Sequence, residues 1–148
     1  MTQRLVVALL VLAAAGGVAA MLRSRRREPP LSGAGQVPDR VDRADFAHPE
    51  RPWLLVVFTS RRCVSCADAL AAARDAAAGR DDVAVVQVEH TTDPALHERY
   101  RIDAVPALLV CDARGVTRAS FLGAVGAERV RAALEDADDD GVSRRSTG

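Results

Sequence analysis

The chain has 148 residues, a formal net charge of zero and 49% hydrophobic residues, which suffices for one domain with a modest core and short appendages but not for a second catalytic domain. The neutral balance excludes the basic footprint of a nucleic-acid binder, and three cysteines exclude a secreted fold stapled by several disulfides. All 20 basic residues are arginine; they are not clustered beside aromatic residues, so the bias is read as codon usage of a GC-rich genome rather than as phosphate recognition.

Residues 5–22 carry no charge. A helix over them, at about 1.5 Å per residue, reaches roughly 27 Å, enough to cross a bilayer core. Gly17-Val18-Ala19 offers the rival reading of a cleavable signal peptide, but Arg23, Arg25, Arg26 and Arg27 follow the apolar segment directly and favour an uncleaved anchor. Residues 1–27 are therefore expected to be a transmembrane anchor with a basic flank. Residues 28–40, rich in Pro, Gly and polar side chains, form a linker. A domain over 41–137 follows, and 138–148 make an acidic, then Ser/Arg-rich disordered tail.

Within the domain, a short element is expected around Val41 to Phe46, then a buried strand at Trp53 to Thr59 and a helix from about Cys63 to Ala78, ended by Gly79. A strand at Val83 to Glu89 precedes a short helix with Asp93 as N-cap and Pro94 at its first position, reaching about Tyr100. Strands at Ala107 to Cys111 and Val116 to Phe121 flank the hairpin turn Asp112 to Gly115. A final helix runs from about Ala127 to Ala137.

The chemistry concentrates in Cys63-Val64-Ser65-Cys66, at the junction of the first strand and the following helix. In a helical first turn, positions i and i+3 share a face, close enough for a disulfide. The orphan amides and positive dipole end of that turn favour a thiolate at Cys63, so Cys63 is the candidate nucleophile and Cys66 the thiol that resolves a mixed disulfide. Arg61 and Arg62 add positive charge beside the pair or form an exposed basic loop. Cys111, in an apolar strand, is read as a buried residue rather than a third redox member.

These residues resemble the thioredoxin-like family. Besides the CxxC, Tyr100-Arg101-Ile102-Asp103-Ala104-Val105-Pro106-Ala107 looks like the stretch running into that family's cis-proline strand, and Leu122-Gly123-Ala124 like its later glycine turn. The resemblance spans roughly residues 37–137. It implies an α/β thioredoxin-like fold, with a central mixed sheet flanked by helices behind the N-terminal transmembrane helix. It further implies that Pro106 is cis beside the cysteines, and that Val105 offers its backbone to a substrate segment. The sequence departs from the family at four places: Arg62 replaces an aromatic residue, Val64-Ser65 replace Gly-Pro, Val57 stands where many members carry a buried acid, and about Gln87 where a lysine often accompanies it.

The resulting expectation is a thiol-disulfide oxidoreductase acting on protein or low-molecular-weight thiol or disulfide partners, without a cofactor. Two alternatives are a binding or scaffold module at the membrane and a CxxC metal-delivery protein. His48, His90 and His97 bear no regular spacing to the cysteines, so a four-ligand zinc set is missing and no metal residue is assigned; the histidines are expected to be ordinary surface or half-buried residues. Only Arg4 precedes the apolar segment, so the positive-inside rule places this single-pass protein in the cell membrane with its domain in the cytoplasm; the alternative is the extracytoplasmic side.

Overall fold

A computed structural model describes residues 37–145, with side chains to 140. Trp53–Thr59 forms β1, Cys66–Ala77 α1, Val83–Glu89 β2, Pro94–Arg99 α2, Ala107–Cys111 β3, Thr117–Leu122 β4 and Ala127–Arg145 α3, after a single 3-10 turn at Arg43–Asp45. The sheet order is β2-β1-β3-β4. β1 pairs with β2 in parallel and with β3 antiparallel, and β3 pairs antiparallel with β4.

Every residue of β1 is buried, because this central strand is covered on both faces, which is why it reads as an uninterrupted apolar run rather than as an alternation. Its odd-numbered side chains Trp53, Leu55 and Val57 join the core beneath α1 and α3. The even-numbered Leu54, Val56 and Phe58 join a second core with Val41, Phe46 and Tyr100. On α1 the buried stripe consists mostly of alanine: Ala69, Ala72, Ala73 and Ala76, with Leu70. Such small residues let the helix lie close to the sheet, and Arg131 of α3 reaches across to the Asp75 carbonyl of α1 at 3.2 Å.

Several boundaries differ from the sequence expectations. α1 begins at Cys66, not Cys63, because the Cys63 amide donates to the Ser60 carbonyl at 3.0 Å and closes a turn ahead of the helix. β4 starts at Thr117 rather than Val116, since the Val116 amide is taken by the Asp112 carboxylate at 3.0 Å. α3 continues past Ala137 to Arg145, into the segment expected to be a disordered tail. Asp138 pins that turn, accepting from the Trp53 indole at 2.5 Å and from Arg80 at 2.8 Å. The apolar segment 5–22 lies outside the described residues; among those described, no helix is long and apolar enough to cross a membrane.

The β3–β4 turn is held against the N-terminal strip by Gly115. Its φ is +76°, and an added Cβ would stand 2.0 Å from the Val41 carbonyl oxygen, while the Gly115 carbonyl accepts from the Val41 amide at 2.8 Å. Gly115→Ala therefore combines left-handed backbone strain with a clash against main chain, and about 3 kcal/mol or more of stability should be lost. Chemical denaturation checks this; Gly79→Ala, where φ is also +76° but nothing lies within 4 Å, should cost clearly less.

Candidate active site

β1 delivers the chain to the Ser60–Ser65 loop. The loop is clamped from the neighbouring strand by Glu89, which the parallel register sets opposite Thr59. The Glu89 carboxylate accepts from the Arg61 amide at 3.1 Å, from the Thr91 amide at 2.9 Å and hydroxyl, and from the Thr92 amide at 3.2 Å. The Thr91 hydroxyl, followed by these amides, holds its carboxyl below the usual carboxylate range against the opposing effect of burial. Glu89 is thus an ionised clamp that shapes the loop. Sequence reasoning missed it, since only strand pairing brings it beside Arg61.

Beyond the clamp, Cys63 and Cys66 are joined, with 2.15 Å between sulfurs and 5.5 Å between Cα atoms. Cys63 is half-buried, whereas Cys66, the first residue of α1, is only 5% exposed. Ser65 occupies the N-cap position but makes no side-chain cap bond. Its hydroxyl faces the Cys63 sulfur at 3.9 Å instead. The first amides of α1 lack intrahelical acceptors, at the helix end that Cys63 precedes in the chain.

Val105 and Pro106 reach the same end of the sheet. The β1–β3 register sets Phe58 opposite Ala107, so the residues before Ala107 flank the loop that follows β1. The Val105-Pro106 bond is cis, and the Pro106 carbonyl accepts from the Gly123 amide at 2.8 Å. Val105 is half-buried and Pro106 buried. The structure thus gathers the CxxC loop, the Val-Pro loop and the glycine turn at one edge.

A family model for the thioredoxin-like domain matches residues 41–138. The chain belongs to the thioredoxin-like family. Solved structures agree on the fold: a point mutant of thioredoxin from Halobacterium salinarum is 20% identical with a TM-score of 0.51, covering 60% of this chain and 76% of that one. Chloroplastic thioredoxin z is 19% identical with a TM-score of 0.52, covering 60% of this chain and 80% of that one. A structure described as a malarial protein is 10% identical with a TM-score of 0.53, covering 58% of this chain and 97% of that one. No curated protein matches the sequence.

Against this thioredoxin-like frame the departures become concrete. Val57 is fully buried in the apolar core beneath α1, so no carboxylate stands there. Polar character on that face comes from Thr59, whose buried hydroxyl accepts from the Gln87 amide group at 3.0 Å. Arg61 is exposed and approaches Glu89 at 3.8 Å. Arg62 is exposed and forms no ion pair among the described residues.

One histidine expectation is corrected. His97 is buried, with its Nε2 3.1 Å from the Val88 carbonyl and its ring edge-on to Phe58. The carbonyl satisfies a ring nitrogen that burial would otherwise leave unpaired. His48 and His90 remain exposed. No group of three His, Cys, Asp or Glu side chains among the described residues is placed to hold a metal ion.

Cys111 is fully buried in β3, and burial, opposed by the Thr117 hydroxyl and Arg43, pushes its thiol up to about 12. A thiol is reactive as thiolate. The folded, disulfide-bonded protein is therefore expected to show no fast-alkylating thiol at neutral pH and one after unfolding, as mass spectrometry with iodoacetamide would show. Because the folded form holds this proton more tightly than the unfolded one, the associated stability is complete below the unfolded thiol's pKa of about 8.5. It should fade as pH rises toward about 12.

Proposed function

We propose that the protein is a membrane-anchored thiol-disulfide oxidoreductase. In its reducing direction the Cys63 thiolate attacks one sulfur of a partner disulfide, forms a mixed disulfide and expels the other partner sulfur as thiolate. Cys66 then loses its proton and attacks the Cys63 sulfur, forming the Cys63–Cys66 disulfide and releasing the second partner thiol. Two electrons pass from the dithiol to the partner. The observation that carries this reading is the asymmetry of the pair: one sulfur at an accessible loop, the other buried at the start of α1 within bonding distance. Val105 and Pro106 flank the loop and form one wall of the partner groove.

Residues 5–22 serve as the anchor, and Arg23, Arg25, Arg26 and Arg27 directly after them support a cytoplasmic domain. In a reducing cytosol the pair rests as a dithiol, which suits reduction of partners at the membrane. Membranes containing the full chain as Cys66→Ala should trap partners as disulfides released by dithiothreitol. Recovery of the same partners from a Cys63→Ala, Cys66→Ala chain, resistant to reductant, would instead favour a binding module. Carboxyl-terminal reporter fusions test the side: alkaline phosphatase activity without cytoplasmic fluorescence would reverse the assignment.

A further inference from the structure

Val64 lies between the two cysteines with 96% of its surface exposed, the sole large hydrophobic side chain so exposed among the described residues. A single apolar residue in water is ordinary on a protein surface, but this one sits on the turn joining the attacking and resolving sulfurs. Any partner whose disulfide reaches Cys63 must pass beside it. Directly before Cys63 in the chain come Arg61 and Arg62, both exposed, Arg61 by 73% of its side chain. Glu89 accepts from the Arg61 and Thr91 amides and pairs with the Arg61 guanidinium at 3.8 Å, so Arg62 carries the charge that has no partner among the described residues, and the exposed acid nearest in sequence, Asp68, lies beyond Cys66 on α1. Along the exposed loop, Cys63 thus follows two arginines and precedes a bare apolar side chain.

We propose that this rim selects protein disulfides whose cysteine lies in an accessible segment bearing an apolar residue and acidic side chains. The apolar residue covers Val64 and the acids meet Arg61 and Arg62. The proposal rests on the exchange chemistry proposed above and names its substrate class. Charge complementarity of this kind acts mainly on encounter and on rejection of like-charged partners, and so weakens with salt.

The test is single-turnover reduction by the full chain, pre-reduced in mild detergent. The probes are synthetic peptide disulfides alike except beside the cysteine: leucine with two glutamates, alanine with two glutamates, and leucine with two arginines. Bis(2-hydroxyethyl) disulfide serves as a small neutral control. At low salt the acidic leucine peptide should react about tenfold faster than the basic one, the gap narrowing in about 0.5 M salt. It should also outpace the alanine peptide by about fivefold. R61Q with R62Q should bring the acidic-to-basic ratio near one, and V64S should do the same to the leucine-to-alanine ratio. These readouts are ratios, so a general loss of activity or of fold does not imitate them. Equal peptide rates alongside reduction of the small disulfide overturn the rim proposal and leave the exchange reading standing. Failure to reduce any of the disulfides overturns both.

Discussion

Cys63→Ser is expected to lower the rate of partner-disulfide reduction by on the order of 10³-fold or more, because a serine hydroxyl is almost wholly protonated near neutral pH and forms no disulfide in place of the thiolate. Cys66→Ser should behave differently. Its half-exposed Cys63 can still attack, so one equivalent of mixed disulfide should form and persist for lack of the resolving thiol. The geometry dictates this asymmetry, since Cys66 is 5% exposed at the head of α1 and meets its target only by way of Cys63. Stopped-flow reduction followed by mass spectrometry of the quenched products separates the variants. Comparable activity of Cys63→Ser and Cys66→Ser, or mixed disulfides formed through Cys66, would contradict the assignment of nucleophile and resolver.

Phe58→Ala should cost about 3–5 kcal/mol of folding stability. Phe58 is fully buried, its ring 5.1 Å from that of His97 and 6.3 Å from that of Tyr100. It also pairs with Ala107 and Val88 across both neighbouring strands, so the cavity opens where the sheet backbone holds its lining apart. Little of it can collapse, which puts the loss toward the upper end of the range. Urea unfolding measures it, and a loss below about 1 kcal/mol would mean that this face is packed far more loosely than the structure indicates. Because Phe58 lies two residues before the Ser60–Ser65 loop and its cluster packs against Val105, reduced Phe58→Ala should also exchange more slowly while still folded.

The elements that the sequence made legible share one property: their signal is local. β1, β2 and β3 agree with their predicted limits, because β1 and β3 are apolar runs bounded by turn residues and β2 is one broken only by Gln87 before it ends at Glu89. The Cys63–Cys66 pairing is legible because two cysteines separated by two residues can bridge in any tight turn. The cis bond at Val105-Pro106 agrees with what the family resemblance implied. By contrast, the start of α1 was misplaced, since nothing in the pattern from Cys63 onward reveals that the Ser60 carbonyl captures the Cys63 amide. His97 was expected as a surface or half-buried residue because its burial depends on a partner carbonyl supplied by Val88.

By itself, then, the sequence determined the order of elements, the family and the two sulfurs, all of which depend on neighbours along the chain. Only the tertiary structure decided what surrounds those sulfurs. Glu89 became the clamp of the Arg61 loop through parallel pairing of β1 with β2, and Asp138 carried α3 beyond its expected end by reaching Trp53 and Arg80. Val64 was left bare between two cysteines while the turn around it folded inward. The Glu89 and Asp138 contacts depend on groups far apart in the chain meeting in space, and residue periodicity holds no information about which distant donor will meet which acceptor.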